Sequence, residues 1–300
     1  MELDKHSRDA GDRQPHRRQQ PVNAGYAPIS DYISERKATL IMLDAYRDFL
    51  FQDIYEFASL VEGCVVDPLT FIELGIEDDT SLIERLLKPH KLTLLHEYIF
   101  TMIRVWQSQD YRNNPDYYMD AAPERLRQIF EEYRLPLTVF PADEAHEDSY
   151  VFYKWFQENQ ESFFQYWEQV TDEVFHIVFA NRRFLQRFGL SLAEYLTSEL
   201  SDGSEARKMI GRRICRPGRY PMWLKTAVFH RDHGRCVFCM CDLSGLISTD
   251  RRVHLDHIVP LNRGGSNDPS NFQLLCEACN LEKSDRSSRA GRLYIPWWGY

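Results

Sequence analysis

Five of the seven cysteines in this 300-residue sequence fall between positions 236 and 279. Four of them form two Cys-x-x-Cys pairs, Cys236/Cys239 and Cys276/Cys279, with 36 residues between the pairs. Two thiolates at this spacing close a tight knuckle around one side of a cation, and two knuckles supply the four sulfurs that tetrahedral structural zinc prefers. One such pair would be weak evidence. Two within 44 residues are strong, because cysteines that merely share a core have no reason to repeat the spacing. Cys241 is surplus and reads as a buried thiol or an alternative ligand, the thiol being preferred because Cys239 already completes its knuckle. Cys64 and Cys215 are isolated. Zn2+ here would be structural, holding together a module too small to bury much core.

Between the knuckles runs Arg252-Val253-His254-Leu255-Asp256-His257-Ile258-Val259-Pro260-Leu261. Alternation of Val253, Leu255 and His257 against His254 and Asp256 predicts a strand with one buried face. Residues 262–269, with Gly264-Gly265, read as a loop, residues 271–275 as a second strand, and residues 277–283 as a helix that starts at the second knuckle. The module is therefore expected to run strand, loop, strand, helix, with zinc clamping its ends.

Taken together, these residues resemble the HNH endonuclease family in its zinc-knuckle form, built on a ββα-metal core. The resemblance is carried by Gly234-Arg235-Cys236-x-x-Cys239, Asp256-His257-Ile258-Val259-Pro260-Leu261, Gly264-Gly265, Asn271 and Cys276-x-x-Cys279-Asn280-x-x-Lys283, and spans about residues 221–287. Asn280 stands where the last letter of the family name calls for histidine. The resemblance implies hydrolysis of DNA, or RNA, phosphodiesters. His257 would be the general base, Asp256 and Asn280 would hold a catalytic Mg2+ or Mn2+, and Asn271 would steady the loop around His257. The chemistry suits those residue types. A neutral imidazole takes a proton from water near pH 7, and a hard divalent cation neutralises charge on the phosphate while keeping most of its own waters. Adjacent strand residues face opposite ways, so Asp256 and His257 can serve one site only if the strand ends there. Lys283, one helical turn beyond Asn280, is expected to contact phosphate, with Arg231, Arg235, Arg252, Arg263 and Arg286 as further backbone contacts. His254 shares a face with Asp256 and is read either as an extra contact or as a solvated strand residue.

The rest of the chain must position or control this module. With 43% hydrophobic and 27% charged residues, the composition is that of a globular protein, and no apolar run reaches membrane-spanning length. No membrane association is expected, and a cytoplasmic location is the default reading. The net charge of −9 hides a split. Residues 28–205 carry 15 Lys/Arg against 33 Asp/Glu, a net of −18, whereas residues 206–300 carry 16 against 8, a net of +8. Apolar residues at three- and four-residue intervals over 32–61, 91–106 and 123–133, with Thr80 as a cap for a short helix, predict a mainly α chain. Aromatics crowd 150–188 at helical spacing and read as core rather than as a ligand groove.

The expected organisation is a disordered leader (1–28), an acidic all-α domain (29–205), a basic linker (206–220), the small zinc-bound nuclease module (221–288) and an aromatic tail (289–300) carrying Trp297-Trp298. The helical domain reads as a sensor, docking or self-association unit for a protein partner. The charge split suggests that it restrains the nuclease, so that its deletion would raise cleavage. A prokaryotic restriction or antiviral defence role is a use the resemblance allows. The rival reading is a non-catalytic zinc module that binds nucleic acid, attached to a protein-interaction domain.

Overall fold

The structure is a computed structural model and describes residues 49–76, 79–119, 122–142, 150–199, 214–245 and 253–294. The expected leader and Trp297-Trp298 lie outside the described residues, as does the helical pattern before position 49. Residues Arg47–Tyr300 form one compact unit. The described part is mainly helical, with one small two-stranded sheet in the C-terminal module.

The helices are α1 (Ile54–Cys64), α2 (Thr80–Leu87), α3 (Leu94–Asn113), α4 (Ala122–Glu132), α5 (Val151–Glu158), α6 (Gln160–Ala180) and α7 (Arg182–Glu194), which runs into a π-helical turn at Tyr195–Glu199. Helix α2 is capped one residue earlier than the sequence suggested. Asp79, not Thr80, is the N-cap, and its carboxylate accepts the Ser81 amide at 2.7 Å. Helix α3 opens on a capping box, with the Thr93 hydroxyl on the His96 amide and the His96 ring returning to the Thr93 amide. The aromatic stretch is core: Phe152, Phe156, Phe163, Trp167 and Phe184 are fully buried. Phe163 is the hub, with Phe130 and Phe156 each 4.8 Å away between ring centroids. A buried ion pair of Arg85 with Glu97, 2.7 Å apart, locks α2 to α3.

The C-terminal module begins with α8 (Met222–Arg231), followed by β1 (Val253–His257), β2 (Phe272–Cys276) and α9 (Glu277–Lys283). The strands are antiparallel, with Asp256 opposite Gln273 and His257 opposite Phe272. Strand β1 is shorter than its ten-residue motif and stops at His257, which meets the condition for Asp256 and His257 to serve one site. Leu224, Val228, Val237, Leu243, Phe272, Leu274 and Leu275 form a small core around the knuckle cysteines.

The sequence suggested a module hung on a linker, but the module is packed into the helices. Gly189 of α7 lies so close to the loop after β1 that a Cβ there would be 3.0 Å from Val259 and 3.5 Å from the Asn271 amide oxygen. A buried cluster joins Arg182 of α7 to Asp232 (3.2 Å), which also holds Arg231 (3.0 and 2.9 Å) and the Leu274 amide (2.9 Å). Residues 288–294 fold back along α7. Arg182 donates to the carbonyls of Gly291 and Leu293 and stacks 4.1 Å over Tyr294, and Gln186 donates to the Ser288 carbonyl.

Candidate metal centre and histidine site

The two knuckles meet where β2 runs into α9. The Cys236–Cys241 segment closes on itself through Met240 N–H to Cys236 O (2.8 Å) and Cys236 N–H to Cys241 O (3.0 Å). It is stitched to β2 by Val237 N–H to Leu274 O (3.0 Å). Sulfurs of Cys236, Cys239, Cys241 and Cys276 all lie within 4.8 Å of one another. Cys279 joins the same group, in contact with Cys276, Cys236 and Cys239. The cluster therefore holds five thiols. Cys241 is at the cluster rather than being the bystander its sequence position suggested, because the turn at Met240 brings it back beside Cys236. Burial, and then the neighbouring thiols, push Cys279 well above the usual thiol range. A dication among these sulfurs reverses that logic, since it stabilises the thiolates that mutual repulsion otherwise suppresses. The donor set fits Zn2+.

About the end of β1, five side chains converge on Asp256 and His257. Asp256 is buried, and its Oδ2 accepts from Lys283 Nζ and Gln273 Nε2, both at 2.9 Å. Lys283 Nζ also donates to the His257 carbonyl at 2.7 Å, bridging the two site residues from α9. His257 is buried against Phe272, 4.5 Å between ring centroids, with Tyr220 at 6.3 Å. Its Nε2 lies 3.0 Å from Asn267 Oδ1. Asn271 braces the intervening loop: its Nδ2 donates to Val259 O and Ser266 O, and its Oδ1 accepts from the Val259 amide. Gly265 is required by close approach, since a Cβ there would sit 1.9 Å from the Val259 carbonyl oxygen.

The electrostatics follow from burial. Desolvation lowers the His257 pKa to about 4; the hydrogen bond to Asn267 opposes this, and the charges of Arg216 and Lys283 reinforce it. At neutral pH the ring is therefore uncharged. Desolvation also raises Asp256 above the usual carboxylate range, against the pull of Lys283, Gln273 and Arg216. A stability consequence follows from His257. The unfolded chain binds this proton near pH 6.5 and the folded chain only near 4, so stability is full above about pH 6.5 and falls as pH drops through that window. Thermal melts of wild type and His257→Gln at pH 7 and pH 5 should show the smaller acid loss in the variant. Equal losses would remove His257 as the cause.

Two of the expected phosphate contacts have their side chains in buried pairs. Lys283 is buried in its ion pair with Asp256, because α9 packs directly on β1. Arg231 is buried too, spent on Asp232, on the Phe272 carbonyl at 2.6 Å and on the Phe179 ring. Arg235 is half-buried and donates to the Met240 carbonyl, bracing the first knuckle. Arg263 is exposed, with one donor on the Arg286 carbonyl at 3.0 Å. His254 is half-buried on the Asp256 face of β1, and Asn280 is half-exposed on α9.

Sequence reasoning missed Asn267, Gln273, Tyr220 and Arg216. Gln273 had a readable signal, since it lies opposite Asp256 once the strands are registered. Arg216 and Tyr220 belong to the stretch read as linker; the described part of it, 214–220, walls the site. Exposed Arg216 is near enough to act on both Asp256 and His257.

The Asp256-His257 pair beside a cysteine-lined metal site has a counterpart among known families. Residues 236–286 match the HNH endonuclease family. The match points to a nuclease-type or metal-binding, nucleic-acid-related function for this module. No curated protein and no solved structure matches the chain. Among the described residues, no helix is long and apolar enough to cross a membrane.

Proposed function

We propose that the chain is a metal-dependent endonuclease that hydrolyses DNA phosphodiester bonds, with His257 as general base. The observation that carries this reading is a neutral, buried imidazole at the end of β1, beside a carboxylate and inside the HNH match. Lys283 and Gln273 occupy Oδ2 of Asp256, and no hydrogen bond to Oδ1 is present among the described residues. That oxygen and the half-exposed amide of Asn280 are the donors for a catalytic Mg2+ or Mn2+, a small set suited to a cation that keeps several waters. When bound, the cation supplies charge neutralisation at the phosphate. His257 removes the proton from the attacking water, and Lys283 fixes the end of β1 through the His257 carbonyl. Exposed Arg216 and Arg263 replace Lys283 and Arg231 as the expected phosphate contacts.

The test is conversion of supercoiled plasmid in the presence of Mg2+ or Mn2+. His257→Ala is expected to lose about 100- to 10,000-fold in rate while keeping its zinc and its melting temperature. Equal cleavage by wild type and variant, or none by wild type, returns the module to a non-catalytic nucleic-acid-binding role.

A further inference from the structure

We propose that Asn267 is the positioning residue that sets the tautomer of His257, presenting Nδ1 as the basic atom. The backbone N–H and both side-chain polar atoms of Asn267 are committed. Its backbone N–H donates to Leu86 O at 2.8 Å, and its Nδ2 donates to Leu87 O and to Cys215 O, both at 2.9 Å. Both Nδ2 acceptors are carbonyls, which cannot donate. Turning the amide over would set its oxygen against two oxygens, so the orientation is fixed. Oδ1 must then face His257, and it too can only accept. Nε2, 3.0 Å away, therefore carries the ring proton of the neutral base, and the lone pair is left on Nδ1.

What holds Asn267 lies mostly outside the HNH module. Leu86 and Leu87 are the last two residues of α2, whose terminal carbonyls have no partner within the helix. Asp268 makes the reciprocal contact: its Oδ2 accepts the amide of Leu94, the first residue of α3, at 2.6 Å. The loop thus passes between the carbonyl end of one helix and the amide end of the next, and the buried Arg85–Glu97 pair holds those helices together. Asn267 and Asp268 are both completely buried. The helical segment consequently takes part in aiming the base, which turns the restraint suggested by the charge split into a requirement.

The inference rests on the proposed role of His257 only for its kinetic consequence. The tautomer is measurable by itself. In the full-length zinc-loaded chain labelled with 15N-histidine, two-bond proton–nitrogen correlation spectra at pH 7.5, assigned with His257→Gln, should show a proton on Nε2 of His257. A proton on Nδ1 overturns the proposal without any variant at Asn267. Asn267→Leu keeps the size of the side chain but removes the acceptor; it should give mixed tautomers and a kcat lower by about 10- to 100-fold, with KM little changed. Asn267→Asp keeps an acceptor and loses both donors, so it should melt earlier yet keep the proton on Nε2. Unchanged tautomers in both variants, or equal loss in both, would make Asn267 a helix cap and nothing more. A chain with Nε2 protonated that cuts no nucleic acid sinks the nuclease reading and spares this one; an active chain protonated on Nδ1 does the reverse.

Discussion

Full-length protein stripped of its thiolate-bound metal is expected to lose the fold of the HNH module, and cleavage with it. The reason is how little sheet and core the module has of its own. Its sheet is two strands of five residues, and its core has seven aliphatic and aromatic side chains besides the cysteines. A two-stranded sheet of that size is marginal in water unless something staples it. Structural zinc in comparable modules contributes about 10 kcal/mol or more of apparent binding free energy at neutral pH, and in a site absent from the unfolded chain that is folding free energy. The cluster also touches the site directly. Cys276 ends β2 and Cys279 lies in α9, which carries Lys283 to Asp256. Treatment with a strong chelator, followed by circular dichroism and a colorimetric zinc assay, should show one zinc released per chain, a lower melting temperature and no cleavage. Zinc-free protein with an unchanged melt would remove the metal from the fold. Cys276→Ser should copy the chelator.

The second large effect is expected at Asp232, far from any reacting atom. Its carboxylate is buried between two arginines from different parts of the fold, Arg182 of α7 and Arg231 of α8, and also accepts the Leu274 amide of β2. Asp232→Ala leaves two buried guanidinium groups facing each other and a buried amide without its partner. Removing one member of a buried, hydrogen-bonded ion cluster costs about 3–5 kcal/mol, because the remaining charges stay desolvated. For a compact unit of this size that corresponds to a fall in melting temperature on the order of 10 °C. Asp232→Asn keeps the shape and one of the two acceptor oxygens, and should lose less. Differential scanning calorimetry of the three proteins decides the matter, and a shift within 2 °C of wild type for Asp232→Ala would show that the cluster is not closed in solution.

Together these expectations argue against the restraint inferred from charge. The acidic and basic halves are opposite in sign, but their contact is made by buried groups that each side needs: Arg182 with Asp232, Asn267 with the end of α2, and Asp268 with the start of α3. Deleting the helices would expose these groups rather than free the nuclease.

The sequence by itself determined what depends on short spacing. Two Cys-x-x-Cys pairs make two knuckles whatever lies between them, alternation over 253–257 makes a strand, and Asp256-His257 at its end is the pair on which the proposed chemistry rests. The mainly helical character and the aromatic core over 150–188 were legible for the same reason, because periodicity is a local property. The tertiary structure decided which charges are free and which are spent. Lys283 and Arg231 look like phosphate contacts until α9 packs on β1 and until Asp232, the Phe272 carbonyl and Phe179 of α6 close around Arg231. Asn267 looks like an ordinary loop residue until a helix end 180 positions away in the chain accepts its amide. The physical reason is that a hydrogen-bonding group is read from its residue type, but its availability depends on burial and on partners that only folding brings within 3 Å.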